Sequence, residues 1–308
     1  MNSLKIVFMG SPDFAVPSLE KLHTSRHQVQ AVVSNPDKRR GRRSKPTPTA
    51  VKSKALELGY STIDVENVKS KEFYNELKRI DADLYVVVAF KIRPPSVLEL
   101  PGKGAINLHA SLLPKYRGAA PIHWAIINGE EETGCTVFFL DDKVDTGNIL
   151  DRQITKIGPM ETTGDLYERL KTEGADLLLK CVDSIADNNY TLTTQNHTEA
   201  TKAPKLYASN TKIDFTWSAE TIHNFIRGLN PFPVAWCKYD SKKMNVYRSK
   251  PVQRDTGGAP GSMHVEDNKL LVTCGDGAIE FKQLQLPGTK KMSAEEFVNG
   301  YKTDIRLK

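Results

Sequence analysis

The run Leu84-Tyr85-Val86-Val87-Val88-Ala89 is apolar at nearly every position. A strand with one wet face alternates; a continuously apolar strand is covered on both sides, usually by helices packed against a parallel sheet. The surrounding sequence has the matching rhythm. Leu4–Gly10 is an apolar run that ends in glycine, and Asp13–Thr24 then sets Phe14, Leu19 and Leu22 on one helical face. Val29–Val33 reads as a second strand, Ser53–Leu58 and Lys71–Arg79 as helices, and Ala105–Leu108 and Thr136–Leu140 as further strands. The alternation predicts an α/β fold with a Rossmann-like, open, mostly parallel sheet and helices on both faces. Thr163–Ile185 reads as a long helix that buries Leu166, Leu170, Leu177, Leu178, Val182 and Ile185, and Asp187-Asn188-Asn189 stops it.

The chain has 308 residues, enough for two domains at roughly 100–200 residues each. From about Asn189 to Ser209 the periodicity dissolves into Thr, Gln, Asn and Lys. This predicts a linker, residues 190–208, between an N-terminal α/β domain, 1–189, and a C-terminal domain, 209–308. In the latter, Val234–Tyr239, Lys243–Ser249, Leu270–Cys274 and Ala278–Leu286 are short strand-like runs with glycine-rich turns between them, as in a small, OB-like β-barrel. No apolar run approaches the about 20 residues that cross a bilayer. Ile6-Val7-Phe8-Met9 is too short for a signal segment and has no small-residue cleavage site behind it, so a cytoplasmic protein with no membrane partner is expected. Cys135, Cys181, Cys237 and Cys274 are far apart with no Cys-x-x-Cys pair, which predicts buried free thiols and no metal site.

Open α/β sheets bind ligands outside the carboxyl ends of their strands, and the densest constellation lies at such an end. Asn107 and His109, two apart on an extended run, share a face. Asp145 follows the next strand, in Val144-Asp145-Thr146-Gly147. An amide, an imidazole and a carboxylate together suit acyl transfer to an amine: the oxyanion needs a donor, the amine must lose a proton and the leaving nitrogen must gain one. The same residues also fit a structural histidine on a strand. Gly10 stands alone before Ser11-Pro12, so no Gly-x-Gly-x-x-Gly marks a dinucleotide site, and no Walker or Gly-x-Ser-x-Gly sequence is present.

The segment from Asn107 to Pro121, Asn-Leu-His-Ala-Ser-Leu-Leu-Pro-Lys-Tyr-Arg-Gly-Ala-Ala-Pro, with Val144–Gly147 downstream, resembles the signature of the folate-dependent formyltransferases. Its long form resembles the branch that acts on methionyl-tRNA, as do Phe8-Met9-Gly10-Ser11-Pro12-Asp13-Phe14, the stretch from Ile213 to Ser218 and the stretch from Arg227 to Trp236. The resemblance spans almost the whole chain. It implies transfer of the formyl group of 10-formyltetrahydrofolate to the amino group of methionyl initiator tRNA, by a monomer that uses no metal. It implies Asn107, His109 and Asp145 as the catalytic trio. Ser111, Leu112, Leu113 and Pro114 would form part of the folate site, and loops carrying Phe90, Ile92, Leu140 and Asp142 would cradle the pterin. The sequence departs from the family pattern at Lys91 and Arg93.

Net charge is +6, and cations concentrate between Pro36 and Lys54: Lys38, Arg39, Arg40, Arg42, Arg43, Lys45, Lys52 and Lys54 against the single acid Asp37. Gly41, Pro46 and Pro48 predict a loop without regular structure. Such a run fits either phosphate contacts or a solvated face. The resemblance favours the first, with Arg39, Arg40, Arg42, Arg43 and Lys45 meeting the tRNA acceptor end. A folate enzyme with a small acceptor, such as glycinamide ribonucleotide or an amino-sugar nucleotide, would need neither this loop nor the second domain. A non-catalytic RNA-binding protein would not need the trio.

Overall fold

A computed structural model describes residues 2–39, 45–91 and 94–308. The chain forms two compact units that interleave in sequence. The first is Met1–Gly118, Gly134–Thr155 and Tyr167–Lys202; the second is Ala119–Thr133, Lys156–Leu166 and Ala203–Lys308.

In the first unit the strands are β1 (Lys5–Gly10), β2 (Gln28–Ser34), β3 (Lys38–Arg39), β4 (Pro46–Thr47), β5 (Thr62–Asp64), β6 (Leu84–Val88), β7 (Ala105–His109), the two-residue β8 (Arg117–Gly118), β9 (Glu132–Phe139) and β10 (Ile149–Lys156). Seven of them make one sheet in the order β10-β9-β7-β6-β1-β2-β5. The pairs β1–β2, β1–β6, β2–β5 and β6–β7 are parallel, whereas β7–β9 is antiparallel. All five residues of β6 are buried, as its apolar run requires. Helices α1 (Val16–His23), α2 (Ala50–Glu57), α3 (Lys71–Ile80) and α4 (Pro95–Leu98) connect the strands. The Thr49 and Ser70 hydroxyls cap α2 and α3 by accepting from the amides of Lys52 and Phe73, each worth about 1 kcal/mol. Against one face of the sheet, Phe73 and Leu77 of α3 pack on Val7, Val33, Tyr85 and Val87.

The chain runs outward from β1 to β2 and β5, then returns to lay β6 on the other side of β1. The strand order therefore reverses between β1 and β6, which opens a crevice at their carboxyl ends.

In the first unit, three features depart from the sequence expectations. β5 has one buried residue and β10 is exposed through its middle, so neither shows a hydrophobic period. The base of the cationic loop is not irregular: β3 and β4 pair as an antiparallel ribbon, Lys38 with Thr47 and Arg39 with Pro46. Proline is tolerated there because the ribbon is all edge.

The second unit includes α5 (Pro121–Ile127), the early residues of α6 (Thr163–Ala186) and everything after the short β11 (Lys202–Ala203). Helix α7 (Ala219–Gly228) lies against α5, and a Cβ on Gly228 would come within 2.6 Å of Ile127. The strand-only expectation misses α7, although Ile222, Phe225, Ile226 and Leu229 recur at helical spacing and are all buried. The strands β12 (Ala235–Tyr239), β13 (Lys242–Val252), β14 (Met263–Glu266), β15 (Lys269–Thr273), β16 (Ala278–Gln285) and β17 (Met292–Ser293) form an antiparallel sheet ordered β12-β13-β16-β15-β14, with β17 also on β16, and α8 (Ala294–Gly300) follows. Lys308 exchanges backbone bonds with Lys238 on one edge, and the Leu307 amide donates to Gly261 O at the other. The sheet thus closes into a barrel around Phe281, Leu284, Met244, Val246 and Phe297.

All four cysteines are free and buried, and burial raises their thiols, those of Cys181 and Cys274 to about 12.

Candidate active site

The first unit brings the expected trio to the carboxyl end of β7. Asn107 and His109 sit on that strand, paired with Phe138 and Thr136 of β9. Asp145 lies in the loop after β9, in a left-handed conformation (φ 55°) that non-glycine residues seldom adopt. This conformation turns its carboxylate back toward the strand end.

His109 is tightly held. Its Nε2 lies 2.9 Å from the carbonyl oxygen of Tyr116. A carbonyl only accepts, so Nε2 carries the proton and the neutral ring keeps its lone pair on Nδ1. That Nδ1 is 3.9 Å from Asp145 Oδ2, and the two side chains are only 8% and 14% exposed. Asp145 Oδ2 in turn accepts the amide N–H of Gly118, at 2.9 Å. Protonation of Nδ1 would therefore set an imidazolium beside an anchored carboxylate, with little water between to screen them.

Asn107 is half-buried, and its carboxamide bonds to no other group among the described residues. An amide at a strand end with both donors unused is available to a substrate oxygen.

The segment Ser111–Pro114 turns immediately after β7. Thr136 Oγ1 donates to Ser111 O at 2.6 Å and accepts from the Leu113 amide at 3.1 Å. Ser111 Oγ donates to Lys115 O, and Leu113 packs with Phe138 and Ile149, so both side chains are buried. Leu112 and Pro114 keep exposed surface. Phe90 and Leu140, just past the ends of β6 and β9, pack against the cluster that holds Tyr85, Val87 and Val97, and Leu140 also touches the Leu113 cluster. Asp142 is exposed in a loop fastened by Asp141, which accepts from Thr146 Oγ1. Ile92 lies outside the described residues, as does Arg93.

On the cationic ribbon, Arg39 and Lys45 are exposed, while Arg40, Arg42 and Arg43 lie outside the described residues. The ribbon's base is pinned by Lys52, whose ammonium contacts Asp37 at 2.7 Å and Asp64 at 2.8 Å. Sequence reasoning missed the groups that hold the trio, Tyr116 O and the Gly118 amide, and the one that holds the turn after β7, Thr136 Oγ1. The first two are backbone atoms inside the recognised motif and carry no signature of their own.

Residues 4–182 match the Formyl transferase family, and residues 205–302 match its separate C-terminal domain. Similarity to individual relatives runs end to end. A methionyl-tRNA formyltransferase of Chlorobium phaeovibrioides is 44% identical, over 99% of this chain and 97% of that protein. One of Desulforamulus reducens is 41% identical, over 96% of this chain and 95% of that protein. The chain belongs to the formyltransferase family, in its methionyl-tRNA branch. The fold agrees: an N-formyltransferase of Helicobacter canadensis, crystallised with folinic acid and dTDP-3-aminofucose, superposes with a TM-score of 0.69 at 24% identity, covering 90% of this chain and 98% of that one, so a second domain does not by itself exclude a small acceptor, contrary to the sequence expectation. Among the described residues of this formyltransferase no cluster of side chains could hold a metal ion, and no helix is long and apolar enough to cross a membrane.

Proposed function

We propose that this chain transfers the formyl group of 10-formyltetrahydrofolate to the free amino group of methionine on initiator tRNA, with Asn107, His109 and Asp145 as its catalytic groups. The observation that carries the acceptor is the likeness to methionyl-tRNA formyltransferases across both halves of the chain. The chemistry rests on the geometry at the end of β7. Asn107 Nδ2 donates to the oxyanion that forms as the amine attacks the formyl carbon. His109 Nδ1, the ring atom with the free lone pair, takes the proton that the amine loses. Asp145 holds the resulting imidazolium. When the carbon–nitrogen bond to the folate breaks, the same proton passes to the departing nitrogen, so the imidazole ends as it began. Leu112, Pro114, Phe90 and Leu140 give the folate an apolar wall, with Asp142 at its rim.

Exposed cations receive the tRNA. On the ribbon these are Arg39 and Lys45, with Arg40, Arg42 and Arg43 in the part of the loop between them. On the second unit, Lys238 stands directly opposite Lys243 across β12 and β13, and Lys243 lies 5.3 Å above the Trp236 ring. Like charges placed opposite one another are unfavourable in the free protein, and a bound polyanion relieves them. The domain roles follow, with folate chemistry in the α/β part and tRNA grip shared with the barrel. The enzyme works as a monomer, the state that the family resemblance implies.

The test is release of tetrahydrofolate from 10-formyltetrahydrofolate with each acceptor in turn. Turnover with methionyl initiator tRNA, and none with glycinamide ribonucleotide or an amino-sugar nucleotide, is expected. Turnover with a small acceptor alone would overturn the assignment. Light scattering on the purified enzyme checks the monomer.

A further inference from the structure

Gln195 occupies a polar stretch with no periodicity, yet it is only 4% exposed. Each end of its carboxamide has fixed partners. Nε2 donates to the backbone carbonyls of Asp145, at 3.1 Å, and Gly147, at 2.8 Å. Oε1 accepts from Arg117 Nη2 at 2.6 Å and Nε at 3.2 Å. The neighbouring residue of Arg117, Gly118, gives its amide to the Asp145 carboxylate. The circuit closes: guanidinium to carboxamide, carboxamide to the backbone of the Asp145 loop, and Asp145 carboxylate back to β8. Gln195 itself is carried to this place by Thr193, which exchanges two backbone bonds with Ile149 at the start of β10.

We propose that Gln195 is a positioning residue for formyl transfer, one that acts through Asp145. The inference rests on the assignment of Asp145 to catalysis. Left-handed backbone at a non-glycine residue is strained, and it persists only where the surroundings over-determine it. Gln195 supplies two of the bonds that do so here. With its donor gone, the 145–147 loop relaxes and the carboxylate leaves its place opposite His109 Nδ1. Gln195 reaches no reacting atom, since both ends of its amide are spent on the protein. The Arg117 fork orients the amide, because a guanidinium can only donate and so forces Oε1 toward itself and Nε2 toward the carbonyls.

The experiment is a double-mutant cycle on the full-length enzyme with 10-formyltetrahydrofolate and methionyl initiator tRNA. Gln195→Leu should lower kcat by about 10- to 100-fold, the scale of a catalytic group displaced by an ångström, with both KM values changed less than about threefold. In an Asp145→Asn background the same substitution should cost less than about threefold further in kcat, because the charge it positions is already gone. Gln195→Glu is the second variant: it keeps an acceptor for Arg117, loses the donor, and should reproduce the loss if Gln195→Leu does not fold. Losses that multiply with those of Asp145→Asn, or an unchanged kcat accompanied only by a lower melting temperature, would reduce Gln195 to a stabilising residue and overturn the inference. An Asp145→Asn enzyme with wild-type turnover would instead remove the catalytic reading of Asp145 and this inference together.

Discussion

Replacing Asp145 with Asn isolates the electrostatic part of the site. The amide is isosteric and can still accept the Gly118 N–H, so the loop keeps the anchor now formed at 2.9 Å, and the melting temperature should move little. What disappears is the negative charge 3.9 Å from His109 Nδ1. At an effective dielectric constant near 20, two unit charges at that separation attract by about 4 kcal/mol. Part of this is retained because an amide dipole still favours the imidazolium, so a cost of about 3–4 kcal/mol is expected where the proton sits on the ring. Each 1.4 kcal/mol is roughly tenfold in rate, which puts the fall in kcat between about 100- and 1,000-fold. Single-turnover formylation at saturating folate and tRNA, followed by release of tetrahydrofolate, reads the chemical step directly. Affinity for tRNA should be untouched, because Asp145 is only 14% exposed and committed to the protein. A single-turnover rate within about threefold of wild type, in a protein of unchanged stability, would show that His109 never carries the proton in the rate-limiting step.

The ribbon gives a second prediction: Arg39→Ala with Lys45→Ala should weaken tRNA binding and flatten its dependence on log salt by about 0.7–0.9 for each phosphate no longer neutralised, measured by filter binding, while KM for the folate stays constant. A third concerns pH. Burial, acting first, holds the imidazoles of His27, His123 and His223 below their ordinary value of 6.5. The folded chain then binds fewer protons than the unfolded chain just below pH 6.5, so these groups contribute full stability above that pH and lose it as pH falls. The urea midpoint should therefore drop between pH 7 and 5, and His27→Gln should lessen the drop. The fourth is packing at Gly147: a Cβ there would lie 1.8 Å from the Phe139 carbonyl oxygen. Gly147→Ala should lower the melting temperature and, by displacing the loop, kcat; an alanine variant as stable and active as wild type would contradict the close approach.

What could be read from the sequence depended on where the information is stored. β6 is legible because burial on both faces forces five apolar residues in a row, and the β7 site is legible because Asn107 and His109 must alternate onto one face. β5 and β10 have no such pattern: one is too short and the other too exposed, and their places are set by backbone pairing with neighbours that already exist. The cationic segment shows the opposite failure. Its prolines argue against structure by propensity, yet a ribbon that pairs with nothing else leaves an edge where a missing N–H costs little, and Lys52 ties its base through Asp37 and Asp64. The trio itself was legible as residue types, but the determinants of its geometry were not. His109 takes its tautomer from a carbonyl oxygen, Asp145 takes its direction from an amide, and the amide of Gln195 spends its donors on two more carbonyls. Every residue has such backbone atoms, so a sequence does not single out the ones that count. The side chain that reaches them is visible only as one glutamine in a polar stretch, and its burial, a consequence of tertiary structure, is what separates it from the other polar residues around it.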